Sequence, residues 1–81
     1  MMKLDKHTAT NLRIAFTIYS QGRNGSYWLN KAQHDWEQRT NGEPISGEVW
    51  QEVREMVSRE FPEVVSSNKK LYEWLHGEVA Q

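Results

Sequence analysis

"LRIAFTIYSQGRNGSYWL", residues 12–29, supports two incompatible readings, and the choice between them decides the fold class. Leu12, Ile14, Phe16 and Ile18 alternate with Arg13, Ala15, Thr17 and Tyr19, which is the period of a strand. "SQGRNGS" would then turn a hairpin into "YWL". The same residues also fit a helix. Thr8, Leu12, Ala15, Phe16 and Tyr19 fall on one helical face, Asp5 or Thr8 supplies a cap, and Gly22 supplies a stop. The helix is the preferred reading, because both end signals are present and the later segments are helical. It leaves Ile14 and Ile18 on the face away from Phe16, so that helix is expected to be central or to meet a second copy of the chain through those two residues.

The rest of the chain divides at "TNGEPIS", at Pro62 with "EVVSSN", and at Gly77. Ser26 is expected to cap a helix over 27–40, with Trp28, Leu29, Ala32 and Trp36 as its apolar stripe. Over 46–61, Ser46 caps and Glu48 suits the positive end. Val49, Trp50, Val53, Met56, Val57 and Phe61 cover an arc of about 160°. Glu52, Glu55 and Arg59 lie opposite, with Glu55 and Arg59 placed to pair at i,i+4. Glu60 falls inside the apolar arc, and Pro62 is expected to unwind that turn and release it. A last helix, 68–76, turns Leu71, Trp74 and Leu75 inward, and the tail beyond Gly77 frays. The expectation is therefore an all-α, compact three- to four-helix single domain over 1–81, with helices at about 5–21, 27–40, 46–61 and 68–76. The alternative is an N-terminal β-hairpin packed on two or three helices.

Bulk properties narrow the function classes. The 81 residues contain no cysteine, which excludes disulfides, thiolate nucleophiles and thiolate metal sites. A cysteine-free chain near the lower size limit for a single apolar core must rest on packing alone, and it is expected in a reducing cytoplasm. "MMKLDKHTAT" has no apolar signal region, and "IAFTIY" is far short of the ~20 residues of a membrane span. The net charge is −1, unevenly spread. Residues 1–39 hold six bases against three acids, and residues 40–81 hold four bases against eight acids.

No phosphate loop, nucleophile elbow or HExxH motif is present. His7, His34 and His76 lie far apart in sequence and form no ligand motif, so free surface histidines, no metal and no cofactor are expected. Catalysis is not expected either, since scattered His, Arg, Lys and Tyr occur in almost any soluble domain.

A DNA-binding reading meets an electrostatic obstacle. In a helix-turn-helix made of 27–40 and 46–61, the second helix would carry Glu48, Glu52 and Glu55 into a phosphate-lined groove. The surviving variant reads DNA with helix 27–40 through Asn30, His34 and Gln38, with Lys31 beside them. Arg13, Arg23 and Arg39 would add backbone charge. "SSNKK", 66–70, could hold a phosphate through serine hydroxyls, N–H groups, Lys69 and Lys70. A sequence pI near 6.3 argues against nucleic acid, whose binders tend to pI above about 9.

Protein binding is the first expectation. Four tryptophans (28, 36, 50, 74) and three tyrosines (19, 27, 72) exceed what a core this small can hold with every indole N–H partnered. Tyr27 and Tyr72 are the expected exposed rim. Glu48, Glu52, Glu55 and Glu63 would suit a basic partner surface, including the nucleic-acid groove of another protein. The sequence thus reads as a non-enzymatic helical adaptor or inhibitor of the kind common among phage and mobile-element accessory proteins, with the DNA-binding regulator as alternative.

Overall fold

The computed structural model describes residues 3–43, 45 and 47–80, the last four as backbone alone. Five helices follow one another: α1 (Lys6–Ser20), α2 (Ser26–Arg39), α3 (Gly47–Glu60), α4 (Pro62–Ser67) and α5 (Lys69–Ala80). No strand occurs among the described residues, so the hairpin alternative falls.

The helical reading of residues 12–29 holds because both ends of α1 are capped. Asp5 accepts the Thr8 backbone N–H at 3.2 Å and the Thr8 hydroxyl at 2.5 Å. At the other end, the Gly22 N–H reaches the Tyr19 carbonyl at 3.0 Å and the Arg23 N–H reaches the Ile18 carbonyl at 3.1 Å. This is a Schellman closure, which needs a left-handed residue, and Gly22 adopts φ +76° without a Cβ penalty.

The chain then doubles back. Asp5 and Thr8, at the start of α1, meet Arg39 at the end of α2. His7 and Asn11 meet Asp35 at 3.1 and 3.0 Å. At the far end Ala15 lies against Gly25. These contacts define an antiparallel α1–α2 hairpin. Gly25 sets its turn: a Cβ there would stand 2.5 Å from the Ala15 carbonyl oxygen. For the same reason α2 starts one residue earlier than expected. Gly25, not Ser26, is the capping position, and the Asn24 side chain accepts the Ser26 N–H at 3.0 Å. At the other end of α2, Asn41 (φ 60°) and Gly42 (φ 84°) turn the chain, and the Gly42 N–H closes on Glu37 at 2.7 Å.

The core is a single cluster in which Leu12, Phe16, Ala32, Val49, Val53, Val57 and Leu75 are almost completely buried. Phe16 sits among rings from three other places, 5.8 Å from Phe61, 6.4 Å from Trp74 and 6.5 Å from Tyr19. Trp50 meets Trp74 edge-on at 4.9 Å. Trp36 and Trp50 are buried, while Trp28 and Trp74 are half-buried against the core. The indole N–H of Trp36 has no partner among the described residues, in keeping with a core too small to partner every indole.

Several expected boundaries are corrected. Residues 62–67, taken as a break, form α4. Proline lacks the N–H that a first helical residue leaves unpaired anyway, so Pro62 starts a helix while ending α3. The last turn of α3 does not unwind, and Glu60 reaches solvent from a helical position to pair with Arg13. Gly77 lies inside α5, since a glycine costs a helix only ~1 kcal/mol and need not end it. The capping role expected of Ser46 lies outside the described residues.

Gly25→Ala should cost about 1–3 kcal/mol, because the methyl group forces two helix backbones apart. Gly47→Ala, with open space at its Cβ, should change stability by less than about 1 kcal/mol. Urea denaturation of the two variants checks the contrast, and equal losses would contradict it.

Candidate functional site

The charged residues singled out in the sequence have unequal fates. Arg13 grips Glu60 with two bonds, at 2.9 and 3.0 Å. Arg39 lies 2.8 Å from Asp5 and donates to Thr8. Lys31 is half-buried, 4.0 Å from Asp35. Two of the three arginines assigned to a DNA backbone are therefore ion-paired within the chain, and Arg23 is exposed. Asn30, His34 and Gln38 do stand exposed along α2. However, α2 runs antiparallel against α1, and the face of α3 that a helix-turn-helix would turn to DNA carries exposed Glu48 and Glu55.

On α3, Glu48 and Glu55 are exposed, and Glu63 is exposed at the start of α4. Glu52 is half-buried and accepts the Leu4 N–H at 3.2 Å, so it ties down the N-terminal segment. The expected Glu55–Arg59 pair does not form. Arg59 lies 3.9 Å from Glu60, and Glu55 takes a long 3.5 Å contact from Gln51. Tyr27 is 67% exposed and Tyr72 52% exposed. Tyr27 stands edge-on to Trp28 at 5.4 Å, and Tyr72 lies 4.3 Å from the His76 ring. Ile14 and Ile18 are half-buried and border a shallow hollow on the outside of α1.

His7 is not free as expected; it bonds Asp35. No group of three or more metal-ligating side chains occurs among the described residues. No described helix is long and apolar enough to cross a membrane.

The "SSNKK" site is dispersed. The Ser66 and Ser67 hydroxyls turn back to the Glu63 carbonyl of their own helix at 3.1 and 2.8 Å. Asn68 caps α5 instead, accepting the Leu71 N–H at 3.2 Å. What the fold does assemble is a cleft of about 480 Å³ between the α1–α2 turn and the start of α5. Tyr19, Asn24, Asn30, Asn68, Lys70 and Trp74 line it. It brings together Asn30 and Lys70, which the sequence placed on separate segments of the same nucleic-acid-binding reading. Asn24 and Trp74 were missed as site residues, and Asn68 was read only as part of the "SSNKK" run. The one available signal was Asn68, three residues before Leu71 at a helix start, which marks a cap but not a cleft.

Three carboxylates have lowered pKa values. For Asp5, burial raises it, and the Thr8 hydroxyl, the Thr8 N–H and Arg39 together outweigh that. For Asp35, desolvation raises it, and His7, Lys31 and Asn11 outweigh that. For Glu60, the Arg13 hydrogen bonds dominate.

No protein-family model, curated protein or solved structure matches the chain.

The unfolded chain binds more protons than the native one wherever a native carboxylate is held below its ordinary value, so stability rises with pH across that range. The contribution of Asp5, Asp35 and Glu60 should be complete above the ordinary carboxylate range, and should fade as pH falls through their native values. Glu60→Gln should cost less than about 1 kcal/mol at neutral pH, as its pair is partly exposed, and should flatten the acid limb. Thermal melts at stepped pH check this. An unchanged acid limb would remove Glu60 from the account.

Proposed function

We propose that the chain is a small non-enzymatic helical module that binds another protein through a basic surface on that partner, in the manner of an adaptor or inhibitor. One observation carries the reading. Glu48, Glu55 and Glu63 stand exposed on consecutive helices with no ion pair among the described residues, while Arg13 and Arg39 are engaged within the fold. Charge left without an internal partner is charge available to steer and orient an external one. Tyr27 and Tyr72 add large amphipathic side chains already in solvent, the residue type favoured at interface hot spots. The lack of cysteine suits work in a reducing cytoplasm.

Affinity capture with the tagged chain should recover a defined protein. The double variant Glu48→Lys, Glu55→Lys should lose it, and Tyr27→Ala with Tyr72→Ala should weaken recovery at least tenfold, while circular dichroism and melting stay unchanged. Full recovery by both folded variants would end the proposal. Mixed-sequence duplex DNA at low salt serves as the competing arm. Binding there with a steep salt dependence, abolished by Lys31→Glu, would favour the DNA-binding regulator instead.

A further inference from the structure

Independently of any protein partner, we propose that the cleft between the α1–α2 turn and α5 binds a small planar organic anion. At two of its polar side chains, Asn24 and Asn68, hydrogen bonds within the fold occupy the amide oxygen and leave the NH₂ group as a donor. The Asn24 amide oxygen accepts both the Ser26 N–H at 3.0 Å and the Tyr19 hydroxyl at 3.3 Å. Both of its lone pairs are then used, and only the amide NH₂ remains to meet a ligand. The Asn68 amide oxygen is held by the Leu71 N–H at 3.2 Å, which leaves its NH₂ as the other end. Lys70 adds an ammonium group on the rim with no ion pair among the described residues.

No carboxylate lines the cleft, although the chain carries eleven acids. A donor-rich hollow with one cation and no acid selects for negative charge. The remainder of the lining selects for a flat apolar body. Leu29 and Leu71 form a buried floor. Trp74 forms a wall, and its ring is held in place by Phe16 at 6.4 Å and Trp50 at 4.9 Å. A volume of about 480 Å³ lies within the ~300–1,000 Å³ usual for small-ligand sites. A nucleoside monophosphate and an indole carboxylate share the chemistry that fits, an anionic group on a planar ring.

The test is a titration of the isotope-labelled full chain followed by amide and indole NMR signals. Adenosine monophosphate and indole-3-acetate are the charged probes. Adenosine and indole-3-acetamide are their neutral counterparts, and inorganic phosphate and acetate are the anions without a ring. At least one charged probe should shift Asn68, Lys70, Leu71 and the Trp74 indole N–H, and should bind at least tenfold more tightly than its neutral counterpart. Which probe does so identifies phosphate or carboxylate as the preferred anion. Lys70→Glu, on an exposed side chain, should weaken binding at least tenfold with the spectrum otherwise retained, and Lys70→Arg should keep most of it. The proposal is overturned if neither charged probe shifts these signals at millimolar concentration, if charged and neutral rings bind alike, if phosphate or acetate alone binds as well, or if Lys70→Glu has no effect. Partner capture by the Glu48/Glu55 variant does not bear on any of these outcomes.

Discussion

The close approach of Gly25 to the Ala15 carbonyl is the contact on which the arrangement turns. With no side chain at residue 25, the start of α2 can lie against the backbone of α1. The two helices then run back along each other with Asp35 opposite His7 and Asn11, and Arg39 opposite Asp5 and Thr8. A wider turn would carry those pairs out of hydrogen-bond reach, since such bonds span only about 2.7–3.2 Å between heavy atoms. The same turn places Asn24, Ser26 and Asn30 on one side of the cleft. One glycine therefore sets both the hairpin and half of the proposed ligand site.

Internal pairing reshapes the charge layout. The first half of the chain is basic by composition, yet Arg13, Arg39 and Lys31 face Glu60, Asp5 and Asp35 within the fold. Each pair is partly exposed and screened by solvent, so each contributes little to stability. Their larger effect is subtraction. They remove cations from the set that an outside phosphate would find, while Glu48, Glu55 and Glu63 remain unopposed by any ion pair among the described residues. That asymmetry is the ground for proposing a basic protein partner rather than a duplex.

The aromatic residues divide by role. Phe16 and Trp50 lock the core, and Trp74 is shared between the core and the cleft. A wall residue anchored by two other rings loses little freedom when a ligand stacks on it, which lowers the entropic cost of binding.

The sequence by itself favoured the helical class over a hairpin at residues 12–29, and it determined the order of the later main helices, the inward stripes of α3 and α5, and the exposure of Tyr27 and Tyr72. These follow from local signals: apolar spacing, capping side chains, and glycines at helix ends. It also determined which chemistries lack their residues, thiol chemistry above all. Pro62 misled because proline ends one helix and begins another by the same property, a missing N–H. Ser66 and Ser67 misled because a short hydroxyl side chain bonds its own helix as readily as a ligand. Only the tertiary structure decided that Arg13 meets Glu60 across 47 positions, that His7 meets Asp35 across 28, and that Asn30 and Lys70 share a cleft. Such meetings depend on how helices cross. That crossing is set by the fit of Gly25, Phe16 and their neighbours in three dimensions, which no periodicity along the chain encodes.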